Sequence, residues 1–280
     1  MLRRTLYTVR VLATALVFVA IVRSASAAVV AHYSFDEASG TSVADNSGNG
    51  NNGVLDVNGG SGALGAAGQF GNAVSLAGGS WVEATNTTFS SIEMSDWTVA
   101  AWVTATASYS DSLVIGEFSA PFPPNTGSRW RPMNPYLDGN VHMFSTFRNT
   151  TGTQDIVVSD VANQIPNNGT TWTHLAVTWD RAAKTFKSYV NGTLIDTQVS
   201  GLSNVDLLPF NTTLQIGRKG LTTNPAQFWE GRIDEIWVLN SALSGGQVNS
   251  LMALNVVPEP SSGMLLWIGV IGFLRRRRRN

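Results

Sequence analysis

Short apolar runs alternate with clusters of Gly, Asn, Ser, Thr and Asp along the middle of this 280-residue chain. No window of about eleven residues keeps a helical apolar period, and β-branched and aromatic residues dominate the runs, which is strand chemistry. Strands are predicted at Val29–Phe35, Ala73–Leu76, Trp81–Ala84, Trp97–Thr104, Ser112–Glu117, Asn140–Arg148, Asp155–Val158, Thr173–Asp180, Thr185–Val190, Leu194–Val199, Leu214–Ile216 and Phe228–Leu239. Asn191-Gly192 joins two of them as a type I′ hairpin turn, which needs positive φ at both central residues. Ser241 to Leu254 is expected to end in one short helix. Many short strands with frequent turns predict an all-β, antiparallel two-sheet sandwich in one domain, without internal repeats.

The two ends break this pattern. Arg3, Arg4 and Arg10 precede an apolar run from Val11 to Val22 and then Ala25-Ser26-Ala27. That order is a signal peptide cleaved after Ala27, and its apolar run falls short of the ~20 residues of a membrane span. At the other end Pro258-Glu259-Pro260 excludes a helix interior, Met264 to Leu274 is apolar or glycine, and Arg275 to Arg279 is a basic block. This C-terminal order resembles the PEP-CTERM sorting signal of bacterial exported proteins, with a short transmembrane helix ahead of the arginine cluster. The resemblance implies an exosortase-type processing protease, and release or transfer at the cell envelope. Domains are therefore expected at 1–27, 28–256 and 257–280.

Removing the ends changes the charge. Nine of the 18 basic residues lie in the terminal segments but only Glu259 of the 19 acids, so the part between is near −9 rather than −1. Such a surface repels phosphate backbones and argues against nucleic acid. The chain has no cysteine, which excludes disulfides and thiolate metal sites.

The segments VVAHYSFDEASGTSVADNSGNGNNG, GQFGNAVSLAGGSWVEA, MSDWTVAAWVTA, TTWTHLAVTWDRAAKTFKSYVNGTLI and LQIG with FWEGRIDEIWVLNSALS resemble, in order, a laminin G-like domain of the concanavalin A-like lectin/glucanase superfamily. The resemblance runs from Val29 to Leu254 and implies a jelly roll. It departs at Phe118 to Tyr136, which reads as an enlarged loop.

Catalytic signals are sparse. Asp234-Glu235 are the adjacent carboxylates of an apolar strand, and strict alternation points them to opposite faces, which does not make an acid and nucleophile pair. His174 lies within a strand pattern as a structural histidine, and His32 and His142 have no nucleophile motif beside them. No catalytic residue is assigned. Most tryptophans read as core, but Trp130 sits between Arg129 and Arg131 in the enlarged loop with Tyr136 nearby. These four are the candidate ligand-binding residues.

Ala44 to Gly53, ADNSGNGNNG, is rich in oxygen ligands and turn formers. Asp45, Ser47, Asn49, Gly50 and Asp56 fit an EF-hand spacing in part, without the final Glu or the flanking helices. Two readings stand: Asn/Gly turn chemistry, or a structural Ca2+. By resemblance to calcium-tied sandwiches the ligands would be Asp45, Asn49 and Asn52, with Asp234 or Glu235 opposite. The expected function is a non-catalytic, envelope-associated module binding carbohydrate or extracellular polysaccharide. The alternatives are a purely structural matrix protein and a glycoside hydrolase or lyase.

Overall fold

The computed structural model describes residues 27–85, 92, 95–106, 114–118, 129–137, 141–148, 154–159, 165–201, 203, 213–218 and 228–258. The expected signal peptide up to Ser26, Glu259, Pro260, the apolar C-terminal segment and the arginine cluster lie outside the described residues. Residues 27–259 form one compact unit. Its strands are β1 (Val29–Tyr33), β2 (Ser42–Val43), β3 (Gly53–Asp56), β4 (Ala63–Ala67), β5 (Asn72–Leu76), β6 (Trp81–Thr85), β7 (Trp97–Ala105) and β8 (Ile115–Phe118). They continue as β9 (Arg129–Leu137), β10 (Val141–Arg148), β11 (Gln154–Ser159), β12 (Thr173–Asp180), β13 (Thr185–Val190), β14 (Thr193–Val199), β15 (Thr213–Ile216) and β16 (Gly231–Leu239), followed by α1 (Gly245–Leu254).

Two antiparallel eight-stranded sheets result. Sheet A has the order β14-β13-β12-β7-β16-β5-β4 with β1 beside β16, and sheet B the order β11-β10-β9-β8-β15-β6-β3-β2. The predicted sandwich is therefore the observed one. Alternation sets the core. Val99, Val103, Leu175, Val177 and Ile233 of sheet A share one buried cluster with Val82, Ala84, Ile115, Leu214 and Ile216 of sheet B. Residues between these positions lie on the two outer faces. On sheet A's outer face, Ala100, Ala176, Tyr189 and Trp237 are covered by Val248 and Leu251 of α1. Ser244 caps α1 with a capping box to Gln247, and Asn255 ends it in the left-handed region at φ 51°. The hairpin at Asn191-Gly192 has φ of 48° and 74°, as its turn type demands.

Four strands escaped the sequence reading. β2 and β3 are only two and four residues long, and β4 is rich in Ala and Gly without a β-branched residue. β9 takes up the last part of the expected enlarged loop, residues 129–136, although it contains Pro132 and Pro135. Pro132 falls within the irregular steps of both neighbouring ladders, between Arg131 and Met133, where a missing N–H breaks no regular pairing.

Candidate functional site

The Asn/Gly loop is a hydrogen-bonded lock on β1. Asp45 is buried, and its Oδ1 accepts from the backbone N–H of His32 and Ser47 at 3.0 Å each. Its Oδ2 accepts from the N–H of Asn51 at 2.9 Å. Burial pushes the Asp45 carboxyl up, but these donors outweigh it and hold it below its ordinary value. Asn49 Nδ2 donates to the Val29 and Val30 carbonyls, and Asn51 Nδ2 donates to Val30 O at 2.7 Å. Asn52 Oδ1 accepts from Asp45 N at 2.9 Å. Asp234, the other expected calcium ligand, holds a different segment: its Oδ2 accepts from Gln69 N at 2.8 Å and Phe70 N at 3.0 Å. Among the described residues no group of three acidic, histidine or cysteine side chains is arranged to hold a metal. Asp45, Asn49 and Asn52 therefore tie the loop to itself and to β1, whereas Asp234 ties β16 to Gln69 and Phe70.

The alternation argument for Asp234 and Glu235 fails at a bulge. The β16–β7 register shifts between Asp234 and Trp237, and Glu235 adopts a left-handed φ of 50°. A non-glycine residue there is strained and is held by its surroundings. The kink turns Glu235 toward His32, with Oε2 2.6 Å from Nε2. The His32 ring stacks on Trp237 at a centroid distance of 3.5 Å. Both acids are buried and tied. Burial, aided by the charge of Glu235, pushes the Asp234 carboxyl up to about 7 against the two amide donors. Gly68 is required beside it, since a Cβ would stand 2.7 Å from Asp234 Oδ2 and 2.5 Å from Asn72 O.

The expected ligand loop needs correction. Trp130 belongs to β9, is 2% exposed, and meets Trp97 edge-on at 5.4 Å in the core. A ring buried there gives a ligand no platform. Arg129, Arg131 and Tyr136 lie on the same strand, and their side chains are outside the described residues, as is that of His142.

A different cluster stands on the outer face of sheet B. Trp81 and Glu83 alternate with the core residues Val82 and Ala84, and Gln215 alternates with Leu214 and Ile216. Register places Val54, Glu83, Gln215 and Gly116 in one row across β3, β6, β15 and β8. Gln215 Nε2 donates to Glu83 Oε2 at 3.2 Å. The Arg218 guanidinium stands 4.1 Å from the Trp81 ring centroid and 5.6 Å from that of Phe228. Burial lowers the Arg218 pKa, while the Glu83 and Asp56 carboxylates oppose that shift. Trp81 Nε1 and Gln215 Oε1 are buried and find no hydrogen-bond partner among the described residues. Sequence reading missed this cluster. Its faint signal is a polar residue between core residues on adjacent strands, in WVEA and TLQI.

Comparison with known proteins agrees with the architecture. The chain belongs to the concanavalin A-like lectin/glucanases superfamily, whose family model matches residues 76–249. Residues 256–279 match the PEP-CTERM protein-sorting motif, which marks the chain for export and sorting at the envelope. A similar structure is domain 4 of AbnA, a GH43 extracellular arabinanase from Geobacillus stearothermophilus, solved in complex with arabinotriose. The two are 24% identical with a TM-score of 0.58, over 81% of this chain and 99% of that one. The binding domain of Paraclostridial Mosquitocidal Protein 1 is 17% identical with a TM-score of 0.52, over 78% and 52% of the two chains. At these identities the likeness is one of fold. A curated rat protein, Sushi, von Willebrand factor type A, EGF and pentraxin domain-containing protein 1 (Rattus norvegicus), is 33% identical over 99 residues. The match spans 34% of this chain and 3% of that protein's length. No described helix is long and apolar enough to cross a membrane.

Proposed function

We propose that the chain is an exported, non-catalytic carbohydrate-binding module of the cell envelope, and that sheet B receives a saccharide at Trp81, Glu83, Gln215 and Arg218. The observation that carries this reading is the pair of unmet polar atoms, Trp81 Nε1 and Gln215 Oε1, within one cluster. Buried polar groups are nearly always paired, so an unmet donor beside an unmet acceptor needs a reason. A sugar hydroxyl supplies both roles: it accepts from the indole N–H and donates to the amide oxygen. Glu83 adds a second acceptor and Arg218 a second donor. The saccharide found with the arabinanase domain makes this ligand class a reasonable one for the same fold.

Asp234 and Glu235 are buried and engaged with backbone amides and with His32, which supports a binding rather than a hydrolytic role. The PEP-CTERM motif at Pro258-Glu259-Pro260 is read by an exosortase-type protease, with the C-terminal apolar segment as transient anchor. Gln215→Ala and Arg218→Ala in the full chain, probed with arabino-, xylo-, cello-, manno- and chito-oligosaccharides, test the reading. Binding by the wild type that weakens at least tenfold in both variants supports it. A wild type that binds none of the panel leaves a purely structural protein, and product release from the oligosaccharides leaves a hydrolase or lyase.

A further inference from the structure

The outer face of sheet A carries a second cluster. Trp81, Trp97, Trp130, Trp179, Trp229 and Trp237 are buried, whereas Trp102 and Trp172 are the half-buried tryptophans among the described residues. Trp102 alternates with the core residues Ala101 and Val103, so it faces away from the core. The apolar cluster under α1 uses Ala100 and Ala176 but does not include Trp102 or His174, two positions further along β7 and β12. Register sets His174 and Asp234 on either side of Trp102. Phe70 meets the Trp102 ring edge-on at 6.4 Å, and His174 meets it at 5.1 Å. Beyond them, Arg232 lies 5.0 Å from the Trp172 ring centroid.

The floor of this cluster is polar and incompletely paired. Asp234 is 0% exposed and His174 2%, yet Asp234 Oδ1 and His174 Nδ1 find no hydrogen-bond partner among the described residues. Two such atoms flanking one half-buried indole are unusual for a covered sheet. They suit a ligand that offers an apolar ring face to Trp102 and hydroxyls around its edge, which a purely apolar partner does not. Charge narrows the class. Arg232 already donates to Ala67 O (Nη1, 2.6 Å) and Gly169 O (Nη2, 2.9 Å), so it is not set up as an anion receptor. The buried Asp234 carboxyl also disfavours polyanions.

We propose that the face around Trp102, Phe70, His174 and Asp234 is a second binding site for neutral saccharide. The ligand class rests on the reading of sheet B given above; the site itself rests on sheet A alone. Because the two outer faces lie on opposite sides of one core, the domain is bivalent and bridges two polysaccharide chains. Stacking on the indole supplies the contact area, and the unmet polar atoms fix the orientation of the sugar.

The test is the stoichiometry of the full chain in detergent, by calorimetric titration with the same neutral oligosaccharides. Two equivalents are expected for the wild type, and one each for Trp102→Ala and Arg218→Ala. The double variant should bind none. Trp102→Leu, which keeps apolar volume but removes the flat ring, should behave as Trp102→Ala with an unchanged melting temperature. One equivalent in the wild type, lost in Arg218→Ala and untouched in both Trp102 variants, overturns the second site and leaves the sheet B reading intact. One equivalent lost only in the Trp102 variants overturns the sheet B reading and the bivalence. No binding in any protein overturns both sites.

Discussion

The loop at Asp45 and the patch at Trp81 invert what polar density suggests. The loop is crowded with oxygen and nitrogen atoms, yet the Asp45 carboxylate accepts three backbone amides and Asn49 and Asn51 donate into β1. The patch on sheet B is sparse, but it keeps a buried donor and a buried acceptor unmet. A saturated cluster holds a fold; an unsaturated one is available to a partner. The candidate site therefore sits where polar residues are few.

Asp45→Ala should sharpen the comparison most. It strands three amide donors, each costing about 1 kcal/mol or more when left unmet. A loss on the order of 3 kcal/mol is expected in chemical denaturation, with saccharide affinity unchanged. Equal losses of stability and affinity would break the contrast. Next comes acid. Burial lowers the His174 pKa to about 4, from an ordinary 6.5. The unfolded chain then takes up a proton that the folded chain refuses, so stability falls as pH drops from about 6.5 toward 4. Between pH 7 and 4.5 the wild type should lose about 2 kcal/mol more than His174→Phe. A parallel pH profile for the two proteins contradicts that assignment. Arg218→Ala should change stability by about 1 kcal/mol, because its half-buried guanidinium lies over the Trp81 and Phe228 rings. The smallest effect is reserved for chelator. With Asp45 satisfied by amides, EDTA should leave the melting temperature of the wild type unmoved; a clear drop would restore a cation to the loop.

Much of the fold was legible because alternation and turn chemistry are local. Thr173–Asp180 and Thr185–Val190 begin and end as their apolar patterns indicate, and Asn191-Gly192 turns as its φ values require. β9 was hidden because Pro132 and Pro135 read as breakers, and the register shifts against β8 and β10 that accommodate Pro132 are not visible along the chain. Trp130 was misplaced for the same reason: flanking arginines and prolines imitate a loop, while Trp97 supplies a core contact from a distant strand. The bulge at Glu235 is likewise invisible in GRIDEIWVL, since His32, which holds it, lies on β1. The sheet B cluster joins β6, β15 and Arg218, and no spacing along the chain encodes their meeting.

The central claim is that the unmet atoms of sheet B meet a sugar, and nuclear magnetic resonance reads those atoms directly. In 15N-labelled full chain, the Trp81 indole N–H signal is assigned by its absence in Trp81→Phe, and the Gln215 side-chain amide by its absence in Gln215→Ala. Titration with the neutral oligosaccharides should move both signals saturably and together, and Arg218→Ala should suppress the movement. Saccharide binding that leaves both signals in place, or no binding by any oligosaccharide of the panel, would contradict the account.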